Sequence, residues 1–378
     1  MFISHFSLSN FRNFTNLKVD LPPGLIVISG LNGQGKSNLL EALYLLSIAK
    51  SYRTNAEREM MSWNTQLVAH EALSEVTAQT IVTGVIKQDN NLVQLIVGLR
   101  PLANENPGGR TVQKQIRVDG LPTSAANAVG LINAVLFTAA DVDLVLGSPS
   151  GRRRFLDIVI SQVDRIYLRT LQRYQKVVSQ RNALLRSIRE GRATPTELDF
   201  WDAELEKEAS VIITKRNEAI EQLSSLAINA YHGLNTAEKL AVIYQPSVDV
   251  PALASTLASQ RATEIRAGVT TFGPHRDDIA LLINEMSASN YASRGQARSI
   301  AFALRLAEAS FLKVRRNQEP ILLLDDVLSE LDTNRRRRVL EEATAYQQVI
   351  VTTAEPMLTE NTHVRPESLL WLSNGILS

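Results

Sequence analysis

The sequence predicts an α/β protein with a mixed sheet and an antiparallel β meander, split by an inserted α-helical arm, and three observations carry that prediction. Near the start an apolar strand, a glycine loop and a helix follow one another. Near the end strands and helices alternate, and between Gly151 and about Leu234 the apolar residues recur at helical spacing. The two α/β stretches lie at opposite ends of the chain, so the arm is expected to interrupt one domain. We place the first α/β part at 1–130, the arm at 131–260 and the second α/β part at 261–378.

Met1 to Leu8 and Asn16 to Leu21 alternate with period two and predict strands. Gly24 to Ser29 predicts a buried strand, and Lys36 to Lys50 a helix with Leu39, Leu40, Leu43, Leu45 and Leu46 on its apolar side. From Val76 to Val118 short alternating runs are broken at Asp89-Asn90-Asn91 and at Asn106-Pro107-Gly108-Gly109, the pattern of a meander. In the arm, Leu156, Ile160, Val163, Tyr167, Thr170, Tyr174 and Val177 are spaced by fours and threes until the pattern meets Arg181. A second helix carries Leu205, Ile212, Ala219, Leu223 and Leu226, with Thr194-Pro195 at the turn. Such spacing fits an ordinary helical subdomain or a short antiparallel coiled-coil-like arm. Gln245 to Leu257 is expected to be a linker. Beyond it come a strand at Asp278 to Ile283, a helix from Gly295 to Arg315, the strand ILLLDD, a further helix and the strand QVIVTTA.

Composition narrows the function classes. A chain of 378 residues with 44% hydrophobic content is long enough for a sizeable core, and a net charge of +1 makes any nucleic-acid surface a local patch. The absence of cysteine excludes disulfides, thiolate metal sites and a cysteine nucleophile. No secretory leader is visible, and no apolar run approaches the roughly 20 residues of a membrane span, so a cytoplasmic protein is expected.

Gly30, Leu31, Asn32, Gly33, Gln34, Gly35, Lys36 and Ser37 satisfy G-x-x-x-x-G-K-[ST] between a predicted strand and a predicted helix. In that context the loop amides cradle the phosphates of ATP, Lys36 reaches the β- and γ-phosphates, and the Ser37 hydroxyl takes a position on Mg2+. The strand ending in Asp325 and Asp326 supplies the acidic partner. Asp325 would hold the magnesium and Asp326 would polarise the attacking water. Gly273-Pro274-His275-Arg276-Asp277-Asp278 is expected to be a structural turn, with Arg276 pairing an aspartate. Arg152, Arg153 and Arg154, together with Arg335 and Arg336, concentrate positive charge and are candidates for sequence-independent DNA backbone contacts.

Ser293, Arg294, Gly295 and Gln296 precede the acidic strand and resemble the signature motif of ABC-type ATPases. Ser329 to Asp332 is similar to their D-loop, with Ser329 and Asp332 as its candidate site residues. A head interrupted by a helical arm resembles the SMC-like group. Within it the chain is similar to the RecF family at Asn10 to Phe14, Lys50 to Thr54, Gly151 to Asp157, Phe200 to Asp202, Gly273 to Asp278 and Leu324 to Asp332. The resemblance implies an ATP-dependent homodimer in which each signature completes the partner's site. It also implies clamping of single-stranded, duplex and gapped DNA, slow DNA-stimulated hydrolysis that releases it, and roles in recombinational repair, replication and SOS induction with RecR, RecO and RecA. An ATP-switched interaction protein with weak DNA contact is the alternative. A nuclease with a similar head would need a further acidic domain. Departures from the ABC pattern are Asp326 in place of the usual catalytic glutamate, no certain Q-loop equivalent around Val135 to Thr138, and Thr352-Thr353 where a switch histidine is usual.

Overall fold

The structure is a computed structural model and describes residues 1–62, 79–89, 91–102, 112–234, 238–330, 333–354 and 366–378. It divides into two compact units, one formed by 1–140 with 312–378 and the other by 141–311. The second unit runs past the sequence-based limit at 260 because the strand at 278–283 pairs with one at 240–245, which holds the later segment to the helices.

The first unit contains two sheets. In one, β1 (Phe2–Phe11) and β2 (Phe14–Asp20) form a hairpin that the meander β4 (Thr80–Gln88), β5 (Asn91–Pro101), β6 (Val112–Val118) and β7 (Leu121–Thr123) extends, all antiparallel in the order β2-β1-β4-β5-β6-β7. Asp89, at φ 52°, turns the chain between β4 and β5, while Asn106 to Gly109 lie outside the described residues. The other sheet has the order β15-β14-β3-β13-β12-β8, built from β3 (Gly24–Ser29), β8 (Ala134–Thr138), β12 (Ile321–Asp325), β13 (Gln348–Thr353), β14 (Ser368–Ser373) and β15 (Ile376–Leu377). All of these except β15 run parallel, and β3, β8, β12 and β13 are the near-continuously buried strands expected of a parallel sheet. The buried amide of Gln348 bonds both the N–H and the carbonyl of Ile3 at 2.9 Å, which ties β13 to β1.

Helix α1 (Lys36–Ile48) packs against strands of both sheets. That explains why it is apolar all round rather than on one stripe. Its one carboxylate, on Glu41, is fully buried, and a buried charge requires a partner. Arg12 at the end of β1 supplies it with two bonds of 2.8 and 3.0 Å, and Ser51 donates a third.

The second unit holds α2 (Pro149–Ser161), α3 (Arg165–Arg189), α4 (Leu198–Gly233), β9 (Leu240–Gln245), α5 (Leu253–Ala267), β10 (Asp278–Ile283) and β11 (Met286–Ser287). Helix α6 (Arg294–Arg316) begins here, and α7 (Thr333–Ala343) belongs to the first unit. Partners along α3 and α4 run in opposite directions, Tyr167 with Arg216, Arg173 with Glu208 and Arg181 with Asp202, so the two helices form an antiparallel pair. The expected stripe Tyr167, Thr170, Tyr174 and Val177 is buried, and it continues through Arg181 to Leu185 and Ile188. The expected linker is instead the end of β9, a turn and the first turns of α5, where Leu253 and Leu257 are buried.

Inside this unit Glu308 on α6 is fully buried against Arg305, which also binds Asp141 at 2.7 Å. Burial pushes the Glu308 carboxyl up to about 7 from 4.5, against the opposing pull of Arg305. A carboxyl raised on folding favours the folded state fully below its unfolded value, and that contribution is lost as pH climbs from 4.5 through about 7. Glu308→Gln is therefore expected to leave stability at pH 4 nearly unchanged and to raise it at pH 8, by on the order of 3 kcal/mol at most. Urea unfolding at the two pH values checks this. An equal effect at both would refute it.

Candidate nucleotide site

The loop between β3 and α1 is shaped by its glycines. Gly33 and Gly35 have φ values of 82° and 107°, and a Cβ on Gly35 would lie 2.4 Å from Asn13 Nδ2. Asn13 approaches that closely because its amide donates to the Gln34 carbonyl at 3.0 Å and accepts from Asn38 at 2.7 Å. Arg53, in the 50–54 segment that resembles the family, donates to Asn38 at 2.6 Å. The segments 10–14 and 50–54 thus converge on the loop and on the helix that follows it. Sequence reading missed Glu41. A carboxylate in the middle of the leucine-rich part of α1 was the available signal.

At the loop Lys36 turns back, and its ammonium donates to the Gly30 and Leu31 carbonyls at 2.6 and 3.0 Å. Burial lowers the Lys36 pKa, while Asp326 and Asp325 oppose the shift. Leu31, Asn32 and Gly33 form the exposed tip. Ser37 Oγ donates to Asp325 Oδ1 at 2.9 Å, which joins the two predicted magnesium positions. β13 lies between the loop strand β3 and the acidic strand β12, so these two are not direct neighbours. Tyr52 lies 3.4 Å from Asp325 Oδ2, and its hydroxyl is pushed above its ordinary pKa by burial and by Asp325. Asp326 adopts a left-handed φ of 53°, and its Oδ1 is buried without a hydrogen-bond partner.

These residues fit a magnesium nucleotide. The Ser37 and Asp325 oxygens are hard donors of the kind Mg2+ takes, Lys36 is a cation held at the phosphate loop, and the orphaned Asp326 oxygen is an acceptor in want of a donor.

The signature lies in the second unit. Ser293 and Gln296 form a reciprocal cap at the start of α6: Ser293 N–H donates to Gln296 Oε1 at 2.8 Å, and Gln296 N–H to Ser293 Oγ at 3.2 Å. The Gln296 amide then donates to Glu238 at 2.9 Å. Ser293, Arg294 and Gly295 are exposed. Ser329 donates to the Asp326 carbonyl at 2.7 Å, and Asp332 lies outside the described residues.

Two expectations are corrected. Arg152 is 8% exposed and is spent on Asp278, at 2.7 and 2.9 Å, and on the Leu144 and Gly147 carbonyls. It holds α2 to β10 and is not a surface cation. In the 273–278 turn, Asp277 is paired by Arg216 and Asp278 by Arg152, so Arg276 is not the partner. His275 accepts from Tyr174 at Nδ1 and donates from Nε2 to the Thr270 carbonyl at 3.1 Å, the arrangement of a neutral ring whose pKa burial lowers. Arg153 gives one donor to the Asp277 carbonyl, Arg336 one to the Leu328 carbonyl, and Arg154 is exposed.

Fold and site together define a head of the ABC/SMC class. The model of the RecF/RecN/SMC N-terminal domain family matches residues 2–367. The DNA replication and repair protein RecF of Roseiflexus castenholzii is 37% identical over 371 residues, covering 94% of this chain and 93% of that protein. RecF of Bacillus cereus is 33% identical over 387 residues, covering 99% and 98%. A solved structure of the recombination mediator protein RecF with ATP, described as part of the RecFOR pathway, superposes with a TM-score of 0.86 at 30% identity, covering 100% of this chain and 96% of that one. An Smc head from Pyrococcus furiosus shares the fold at a TM-score of 0.54 and 15% identity, covering 100% and 95%. The chain belongs to the RecF family.

Among the described residues no helix is long and apolar enough to cross a membrane.

Proposed function

We propose that this chain is a cytoplasmic ABC-type ATPase of recombinational DNA repair and replication. It dimerises around ATP and Mg2+, clamps DNA without sequence preference, and releases it on slow, DNA-stimulated hydrolysis. The observation that carries the reading is the Ser37–Asp325 hydrogen bond beside the loop-bound Lys36. It joins the phosphate loop to the acidic strand. Lys36 and the loop amides would bind the phosphates, Ser37 and Asp325 would hold the metal, and Asp326 would orient the attacking water. Magnesium, when bound, supplies charge neutralisation at the phosphate oxygens. Ser293 to Gln296 would close the partner's site, with Ser329 and Asp332 beside it. Gapped, single-stranded and duplex DNA would be held through backbone contacts, for which Arg153, Arg154, Arg335 and Arg336 are the candidates once Arg152 is set aside. Similarity to RecF proteins supports roles in recombinase loading and SOS induction, with RecR, RecO and RecA as partners.

Light-scattering mass measured against ATP tests this. ATP is expected to double the mass of wild type and of Asp326→Asn, but not of Lys36→Ala or Ser293→Ala, and retention of gapped DNA should follow the dimer. A mass that never responds to ATP removes the shared-site mechanism. A dimer that retains no DNA at low salt leaves an ATP-switched interaction protein instead.

A further inference from the structure

We propose that Thr352 is a positioning residue for the hydrolytic site, a hydroxyl that ties the two acidic residues into one unit. The proposal rests on the roles given above to Asp325 and Asp326. Thr352 is fully buried on β13, the strand wedged between the phosphate-loop strand and the acidic strand. Its Oγ1 lies 2.9 Å from Asp325 Oδ1 and 3.3 Å from the Leu324 carbonyl. A hydroxyl has one proton, and the shorter, charge-assisted bond to the carboxylate takes it. The same oxygen accepts from the Asp326 N–H at 3.2 Å, beside the bond from that N–H to the Thr352 carbonyl, also at 3.2 Å.

Two consequences follow from this geometry. Asp325 Oδ1 is held by two hydroxyls, those of Ser37 and Thr352. Ser37 is the one a metal would engage, so Thr352 is the one left on Oδ1, with only the longer 3.4 Å contact of Tyr52 on Oδ2 to help keep the carboxylate in place. Asp326 sits at a left-handed φ of 53°, a conformation that costs a non-glycine residue something, though Asp less than most, and that its surroundings help to hold. The bond to Thr352 is part of that imposition, and it helps to hold the backbone from which the Asp326 carboxylate, with its unpartnered Oδ1, projects.

Thr352→Val keeps the shape and the β-branch, and it leaves the main-chain bond to Asp326 intact, so the strand is expected to hold. Thr352→Ser restores the hydroxyl alone. Binding of a fluorescent ATP analogue is titrated with and without Mg2+, and turnover is measured at saturating ATP. For Thr352→Val we expect metal-free affinity within about twofold of wild type and a kcat lower by about tenfold, the factor that one net hydrogen bond is worth. The Mg2+ concentration that half-saturates the metal's effect on binding should rise by a similar factor of about ten. Thr352→Ser should recover both to within about twofold. A Thr352→Val protein equal to wild type in both readouts overturns the proposal, as does a Thr352→Ser protein as impaired as the valine variant. Wild-type protein that neither binds nor turns over ATP removes the underlying functional reading, and this proposal with it.

Discussion

Gly295→Ala is expected to leave the protein folded and able to bind ATP while lowering turnover by about 100-fold or more, the cost of a reacting group displaced by about 1 Å. Among the described residues nothing requires glycine at this position. Its φ is not left-handed, it is exposed, and a Cβ there would meet only Ser293 Oγ, at 4.0 Å. Within a helix alanine is favoured over glycine by about 0.5–1 kcal/mol, so melting temperature should hold or rise. A glycine whose own fold would prefer alanine is explained by something that approaches it from outside. On the reading above, that is the nucleotide held by a second copy. Turnover, ATP affinity and mass in the presence of ATP, measured together, decide it: normal turnover would mean that 293–296 is a helix cap and nothing more.

Much of the site was legible because its chemistry is local. Eight contiguous residues shape the phosphate loop, and the apolar run before Asp325 marks a buried parallel strand, so periodicity and spacing place both. Strand order was not legible. β13 follows β12 in sequence yet inserts between β12 and β3, and only tertiary pairing puts Thr352 against both aspartates. The buried charges share one signature, a charged residue among the apolar positions of a helix. Glu41 on α1, Arg181 on α3 and Glu308 on α6 are all fully buried. Arg152 could have been found in the same way. It lies four residues before Leu156, on the stripe that includes Phe155, Val159 and Ile160, so it faces the interior although it opens a run of three arginines. Which aspartate each arginine takes is a long-range fact, and sequence spacing carries no information about it.

Arg181→Ala is expected to destabilise the second unit by roughly 3–5 kcal/mol, the usual cost of leaving buried carboxylates without their cation. Arg181 is fully buried, with Nε donating to Asp202 at 2.7 Å, Nη1 donating to Thr270 at 2.9 Å, and Nη2 lying 2.7 Å from Glu264. One side chain therefore joins α3, α4, α5 and the segment before β10, where a coiled-coil seam would carry an apolar residue. The two carboxylates differ in what they keep. Asp202 retains Arg261 at 2.6 Å, whereas among the described residues Glu264 retains only neutral donors from Thr271, at 2.6 and 3.0 Å. Most of the penalty should thus come from Glu264. Arg181→Met with Glu264→Gln is expected to recover more than half of the loss, because it removes the buried pair together and leaves no orphaned charge. Urea unfolding of the full chain reads the difference. If the double variant is as unstable as Arg181→Ala, the contribution of Arg181 is packing and geometry rather than charge, and the polar residue in the seam serves to fix the register of the helices.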